Sequence, residues 1–179
     1  MQTVIALGTF DGMHAGHRRV ISRTVEEARK TGAKSMVYTF TGIPRTLFGK
    51  TARMLMTPEE RRQAMLDMGV DEVVMVEFTE DFAAISPEAF IENLKNAYHP
   101  RAVVAGEDYS FGCKAAGKKD TLIKLGKEMG FEAIIVPVVR VVMPDGTEGE
   151  KISSTGIRQA IEENRPELAR QIAKGNRTE

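Results

Sequence analysis

The chain has little cysteine, no net charge and no long apolar run. With Cys113 alone, it can form neither an internal disulfide nor a cysteine-built zinc site. That scarcity fits a reducing compartment, and a cytoplasmic location is expected. Lys plus Arg and Asp plus Glu each number 25, so the formal charge is zero. A broad electrostatic footprint for duplex nucleic acid or an anionic membrane is therefore not expected, although a local basic site is compatible with it. The longest uninterrupted apolar stretch, residues 133–139, has seven residues, against the roughly 20 needed for a membrane-spanning helix. The opening Met1-Gln2-Thr3-Val4 lacks the basic region and long apolar stretch of a signal peptide. Aromatics make up only 6% of the chain, but hydrophobic residues at 42% and charged residues at 28% are those of an ordinary globular protein. The 179 residues, at about 150 per domain, predict one domain over 1–179.

What is present is an alternation of strand and helix patterns without repeats. Strands are predicted at 3–7, 35–40, 71–78, 102–105 and 132–139. Helices are predicted at 17–30, from Thr57-Pro58-Glu59-Glu60 to about 68, from Ser86-Pro87-Glu88 to about 98, and at 121–129. A last helical region begins at Ser153 and restarts at Pro166. The order implies βαβ units, an α/β fold and a mainly parallel five-stranded sheet. Such sheets bind ligands beyond the carboxyl ends of their strands. Attention falls on residues 8–17, 40–44, 106–119 and the region of Ile152.

Two helix starts break the usual charge rule. A helix N-terminus carries partial positive charge and favours acids, as with Glu59, Glu60 and Glu88. The first helix instead opens with His14, His17, Arg18 and Arg19, and the last with Ser153, Ser154, Thr155 and Arg158. Cations and free backbone N–H groups at one end suit an anion, so both starts are read as phosphate positions; a solvated basic face and a hydroxyl cap are the plain alternative. Gly8 after a strand lets backbone approach a ligand, Gly12 permits a tight turn, and Gly16 leaves room for a nucleotide against the helix. His14 and His17 are two of the three histidines and share a helix face. A two-histidine metal site competes with this reading but lacks further ligands.

Gly8-Thr9-Phe10-Asp11-Gly12-Met13-His14-Ala15-Gly16-His17 resembles the H-x-G-H motif of nucleotidylyltransferases. Ile152-Ser153-Ser154-Thr155-Gly156-Ile157-Arg158 resembles their second motif, I-S-S-T-x-I-R. Within that superfamily the chain resembles the bacterial FAD synthetases, the adenylyltransferase module of bifunctional riboflavin kinase/FAD synthetases. Gly12 after Phe10-Asp11, the 106–112 segment Gly-Glu-Asp-Tyr-Ser-Phe-Gly against the pattern G-x-[ND]-F-x-F-G, and residues 82–90 carry the likeness. It extends over about residues 4–173. Where the family usually has Pro-His-Pro after the second strand, this chain has Gly42-Ile43-Pro44.

The resemblance implies a Rossmann-like three-layer sandwich and adenylyl transfer from ATP to FMN, giving FAD and pyrophosphate. His14 and His17 would neutralise charge at the α-phosphoryl group, and Arg158 would contact the leaving pyrophosphate. Gly8, Thr9, Phe10 and Gly16 would line the ATP site, with Ser153, Ser154 and Thr155 on the outer phosphates. Asp108, Tyr109 and Pro44 would face the acceptor; Asp108 as a mere turn residue is the alternative, and Phe111 is expected in the core. Asp11 is expected to serve a turn or cap. Lys114, Lys118 and Lys119 form either a lid or a solvated basic face. Mg²⁺ would arrive with ATP, and no metal ligand is assigned to the protein. No riboflavin kinase module is expected within these residues, so FMN would come from a separate riboflavin kinase. Three alternatives stay open. One is the same transfer to nicotinate or nicotinamide mononucleotide or phosphopantetheine. Another is a non-catalytic nucleotide or flavin sensor. The last is a fragment of a class I aminoacyl-tRNA synthetase, whose H-x-G-H signature is similar.

Overall fold

The computed structural model describes residues 2–44, 53–142, 148–167 and 169–170. The expected likeness over 171–173 lies outside them. In chain order the elements are β1 (Thr3–Leu7), α1 (Ala15–Thr31), β2 (Lys34–Phe40), α2 (Pro58–Asp67), β3 (Glu72–Val76), α3 (Glu80–Ala84), α4 (Pro87–Tyr98) and β4 (Pro100–Gly106). There follow α5 (Lys119–Met129), β5 (Glu132–Val136), β6 (Arg140–Val142), β7 (Glu148–Lys151) and α6 (Ser154–Glu162).

Five strands form one parallel sheet in the order β3-β2-β1-β4-β5. Alternate residues of a strand face opposite sides, and the two sides are both buried. Val4, Ala6, Ala102 and Val104 pack with Val20, Ile21, Val25 and Met65 of α1 and α2. Ile5, Leu7, Val103 and Ala105 pack with Phe90, Ile91, Leu94, Leu122 and Leu125 of α4 and α5. The result is the expected three-layer α/β sandwich. After β1 the chain winds outward through β2 and β3, then returns to place β4 on the other side of β1. The order reverses at β1, so the loop leaving β1 sits where such sheets take ligands.

The helix ends follow local chemistry. Thr57 and Glu60 form a reciprocal capping box on α2. Gly32 ends α1 in the left-handed conformation with φ 65°. The fifth strand stops at Val136 rather than running to 139, because Pro137 has no N–H to give the ladder. The short α3 and the antiparallel β6–β7 hairpin were not foreseen. Helical residues do resume at Pro166 and Glu167. A third apolar cluster of Ile152, Ile157, Ala160 and Ala169 packs with Ala15, Leu55, Val139 and Val141. It seats α6 against the start of α1.

Candidate active site

The segment after β1 turns sharply. Phe10 and Met13 have φ of 53° and 42°, and Gly12 lies between them at 81°. For non-glycine residues this conformation costs of order 1–3 kcal/mol each, and such strain gathers at functional sites. The Phe10 ring folds back over Gly8, where an added Cβ would stand 2.7 Å from the ring. Arg18 Nε donates to Met13 O at 2.9 Å and holds the turn against α1.

His14 is the N-cap of α1: its Nδ1 accepts from His17 N–H at 3.3 Å. A neutral His14 therefore carries its proton on Nε2. The His17 ring stacks on His14 at 3.6 Å and meets Phe10 edge-on at 5.4 Å. Burial lowers the His14 pKa to about 4, with the Lys151 charge acting in the same direction and Asp108 and Asp11 opposing. Burial also takes His17 well below its ordinary value, reinforced by His14, Arg61 and Arg158. Both imidazoles are thus neutral at pH 7, and His17 Nδ1 is buried without a hydrogen-bond partner. An added Cβ at Gly16 would meet the His14 ring at 3.2 Å. The small residue makes space for the capping imidazole, where the sequence suggested space for a nucleotide.

The second motif docks directly onto the first. Ser153 caps α6, its hydroxyl accepting from Gly156 N–H at 3.2 Å. Ser154 Oγ donates to Asp11 O at 2.6 Å. Thr155 is exposed. Arg158 donates through Nη2 to the Asp11 carboxylate and through Nε to Arg53 O at 2.8 Å. The same carboxylate, 2% exposed, accepts from Leu55 N–H at 3.0 Å and Met56 N–H at 3.2 Å. Asp11 is accordingly more than a turn residue: it gathers the first motif, α6 and the approach to α2. Neither α1 nor α6 has an acid in its first turn, whereas α2, α3 and α4 all do.

Of the expected acceptor residues, Asp108 is close enough to act electrostatically on His14. Asp108 lies in the turn closed by Tyr109 N–H to Gly106 O at 2.9 Å, and its carboxylate pairs with Lys151. Tyr109 is partly buried against the α4–α5 core, and burial raises its pKa. Its ring stacks on Phe111 at 5.8 Å. Phe111 is buried in that core, as expected, and Tyr109, two residues earlier and so on the same face of the extended segment, packs against the same cluster. Pro44 lies beyond β2 and is half-buried, after the buried Ile43. Lys119 pairs with Glu107 at 2.9 Å, while Lys114 and Lys118 are exposed. Among the described residues no group of three or more His, Cys, Asp or Glu side chains is arranged to hold a metal. The Asp11 carboxylate is taken up by three donors.

Sequence reasoning missed Arg61 and Lys151. Arg61, on α2, is 0% exposed. It faces inward with Met65 one turn later, a cation on an otherwise apolar stripe; that placement was the available signal. Lys151 immediately precedes the second motif.

The FAD synthetase family profile matches residues 1–156. A bifunctional riboflavin kinase/FMN adenylyltransferase of Listeria monocytogenes is 38% identical over 172 residues, covering 94% of this chain and 52% of the relative. A putative bifunctional riboflavin kinase/FMN adenylyltransferase of Geobacillus thermodenitrificans is 36% identical over 160 residues, covering 89% and 83%. The chain thus spans about half the Listeria relative. Among solved structures, a Streptococcus pneumoniae chain described as a macrolide-efflux protein superposes with a TM-score of 0.76 at 30% identity. That match covers 94% of this chain and 55% of the other. No described helix is long and apolar enough to cross a membrane. With both motifs joined at Asp11 and the family profile taking in the first motif whole and the second as far as Gly156, the chain belongs to the FAD synthetase family and is, by that membership, a nucleotidyltransferase.

Proposed function

We propose that this chain, working as one nucleotidyltransferase domain, transfers AMP from ATP to the phosphate of FMN, giving FAD and pyrophosphate. The observation that carries this is the meeting of the two motifs at Asp11, which sets two basic helix starts around one position. An FMN phosphate oxygen attacks the α-phosphorus of ATP. The new O–P bond forms as the bond to the bridging oxygen breaks, and that electron pair leaves with pyrophosphate. The acceptor is already an anion at neutral pH, so no strong general base is needed. Catalysis rests on position and on charge stabilisation.

The neutral His14 offers its Nε2–H as a donor to phosphate oxygen, with its orientation fixed by the Nδ1 cap. His17 is held beside it by stacking. Arg158 keeps Nη1 for the leaving group while Nε and Nη2 bind protein. Thr155 and the N–H groups of α6 serve the outer phosphates. Mg²⁺, entering with ATP, would supply further neutralisation on those oxygens. Asp108, Tyr109 and Pro44 face the flavin side. Family relatives in Listeria and Geobacillus named as FMN adenylyltransferases support FMN as the acceptor, and a riboflavin kinase is the class of enzyme that would provide it.

A second reading keeps the chemistry and changes the acceptor, favoured by Gly42 and the buried Ile43 beside Pro44. The test is pyrophosphate release from ATP and Mg²⁺ with FMN, nicotinate mononucleotide, nicotinamide mononucleotide or phosphopantetheine. Release and FAD formation with FMN are expected. Turnover with another acceptor alone would replace FMN, and tight ATP binding without release for any acceptor would make the protein a sensor.

A further inference from the structure

Parallel strands leave their last carbonyls without ladder partners. The β1–β2 ladder ends at the pair Leu7–Tyr38. Just past it, the backbone is held by side chains instead. Arg61 Nη1 donates to Thr9 O at 2.6 Å, and Nη2 donates to Phe40 O at 2.8 Å and Thr41 O at 2.9 Å. Thr39 Oγ1 also donates to Thr9 O at 3.1 Å. Arg61 is fully buried, makes no ion pair among the described residues, and its Nε has no hydrogen-bond partner.

A buried guanidinium is an expensive way to fill space. Its desolvation costs several kcal/mol, and an apolar side chain of similar volume packs as well or better. What it supplies is geometry: a rigid planar fork whose two terminal nitrogens fix the separation of the groups they bind. Here those groups belong to two different strands. Thr9 O lies within the Gly8–Phe10 segment, which the family resemblance assigns to the ATP site. Phe40 O and Thr41 O lead directly into Gly42-Ile43-Pro44, of which Pro44 is proposed to face the acceptor. The Thr9–Phe10 peptide is also planar, so clamping its carbonyl toward Arg61 turns the Phe10 N–H the opposite way.

We propose that Arg61 is a positioning residue for adenylyl transfer. It aims the Phe10 N–H at the nucleotide and sets the distance between the ATP cradle and the acceptor loop. The inference rests on the reading given above, since it assigns those two segments to the two substrates. It touches neither substrate itself.

The test compares wild type, Arg61→Lys and Arg61→Met in pyrophosphate release with FMN, alongside ATP affinity by calorimetry and urea unfolding of each protein. Misplacement of reacting groups by an ångström costs up to about a hundredfold in rate. Folded R61M is expected to bind ATP within about threefold of wild type while kcat falls about tenfold to a hundredfold and the acceptor KM rises. R61K keeps the charge but not the fork, and an intermediate kcat is expected. A folded R61M or R61K with wild-type kcat and acceptor KM would overturn the proposal. So would losses of ATP affinity and rate that merely track the folded fraction, or failure of both variants to fold, which would leave Arg61 a core residue only. An inactive wild type removes the adenylyl-transfer reading and this inference with it; an active wild type with unaffected variants removes the inference alone.

Discussion

Replacing Asp11 by Ala tests whether one carboxylate joins the two motifs. The wild-type side chain is 2% exposed and accepts from Leu55 N–H, Met56 N–H and Arg158. Alanine leaves two N–H groups and a guanidinium without their acceptor. The Arg158 side chain is 16% exposed, so water re-solvates it only in part. Breaking such a pair from one side costs about 3–5 kcal/mol, a large share of the roughly 5–15 kcal/mol that holds a domain folded. At about 2–4 °C per kcal/mol for a chain of this size, the melting temperature falls by roughly 6–20 °C. Asp11→Asn keeps an oxygen for the two N–H groups but presents no charge to Arg158, and about 1.5–3 kcal/mol is expected. The assay is urea unfolding of wild type, D11A, D11N, R158M and the D11N/R158M double variant. Coupling should appear as an interaction energy of about 1–3 kcal/mol in that cycle. If D11A costs less than about 1 kcal/mol, or if D11N and R158M add within about 0.5 kcal/mol, Asp11 is not the joint between the motifs.

Two further outcomes follow from the same site. The folded His14 has a pKa of about 4 against an ordinary 6.5, so the unfolded chain binds more protons between those values. Stability should therefore rise with pH across that window, by on the order of 3 kcal/mol from His14, and level off above it. Urea unfolding at pH 5 and pH 7 samples most of this window; His14→Asn, which keeps a capping acceptor, should make the profile shallower and leave the part due to His17, and an unchanged profile would refute the assignment. Gly8→Ala places a methyl carbon 2.7 Å from the Phe10 ring. Displacing that ring should cost about 1–3 kcal/mol and reduce pyrophosphate release, and a variant with wild-type stability and rate would show that the ring can move freely.

The layered fold was readable because each strand and helix carried its own local signal. Thr57-Pro58-Glu59-Glu60 specifies a capped helix start without help from the rest of the chain, and the structure has that capping box. The two motifs were likewise visible as helix starts lacking acids. What escaped is what depends on residues distant in sequence. Asp11 reads locally as a turn residue, because its partners at 55, 56 and 158 are chosen by tertiary packing. Arg61 stands out in the sequence only as a cation on the stripe that carries Met65, and what it does there needs the sheet that receives its fork. The β6–β7 hairpin is short and strongly charged, with Arg140, Glu148, Glu150 and Lys151, so no alternation of apolar residues announced it. At Gly16 the sequence could not show that an added Cβ would meet the capping ring of His14, a contact set by a rotamer and not by spacing.

The contacts from α6 to Asp11 close loops of 143 and 147 residues. Contacts so remote in the chain wait on the last segment to be made, even though the sheet formed by then has already brought most of the loop together. A ribosome-bound chain that has completed β5 can therefore possess its whole sheet and both apolar layers, yet hold no anion between the motifs. On the adenylyl-transfer reading, ATP affinity should therefore be absent from such a chain and appear once α6 is included.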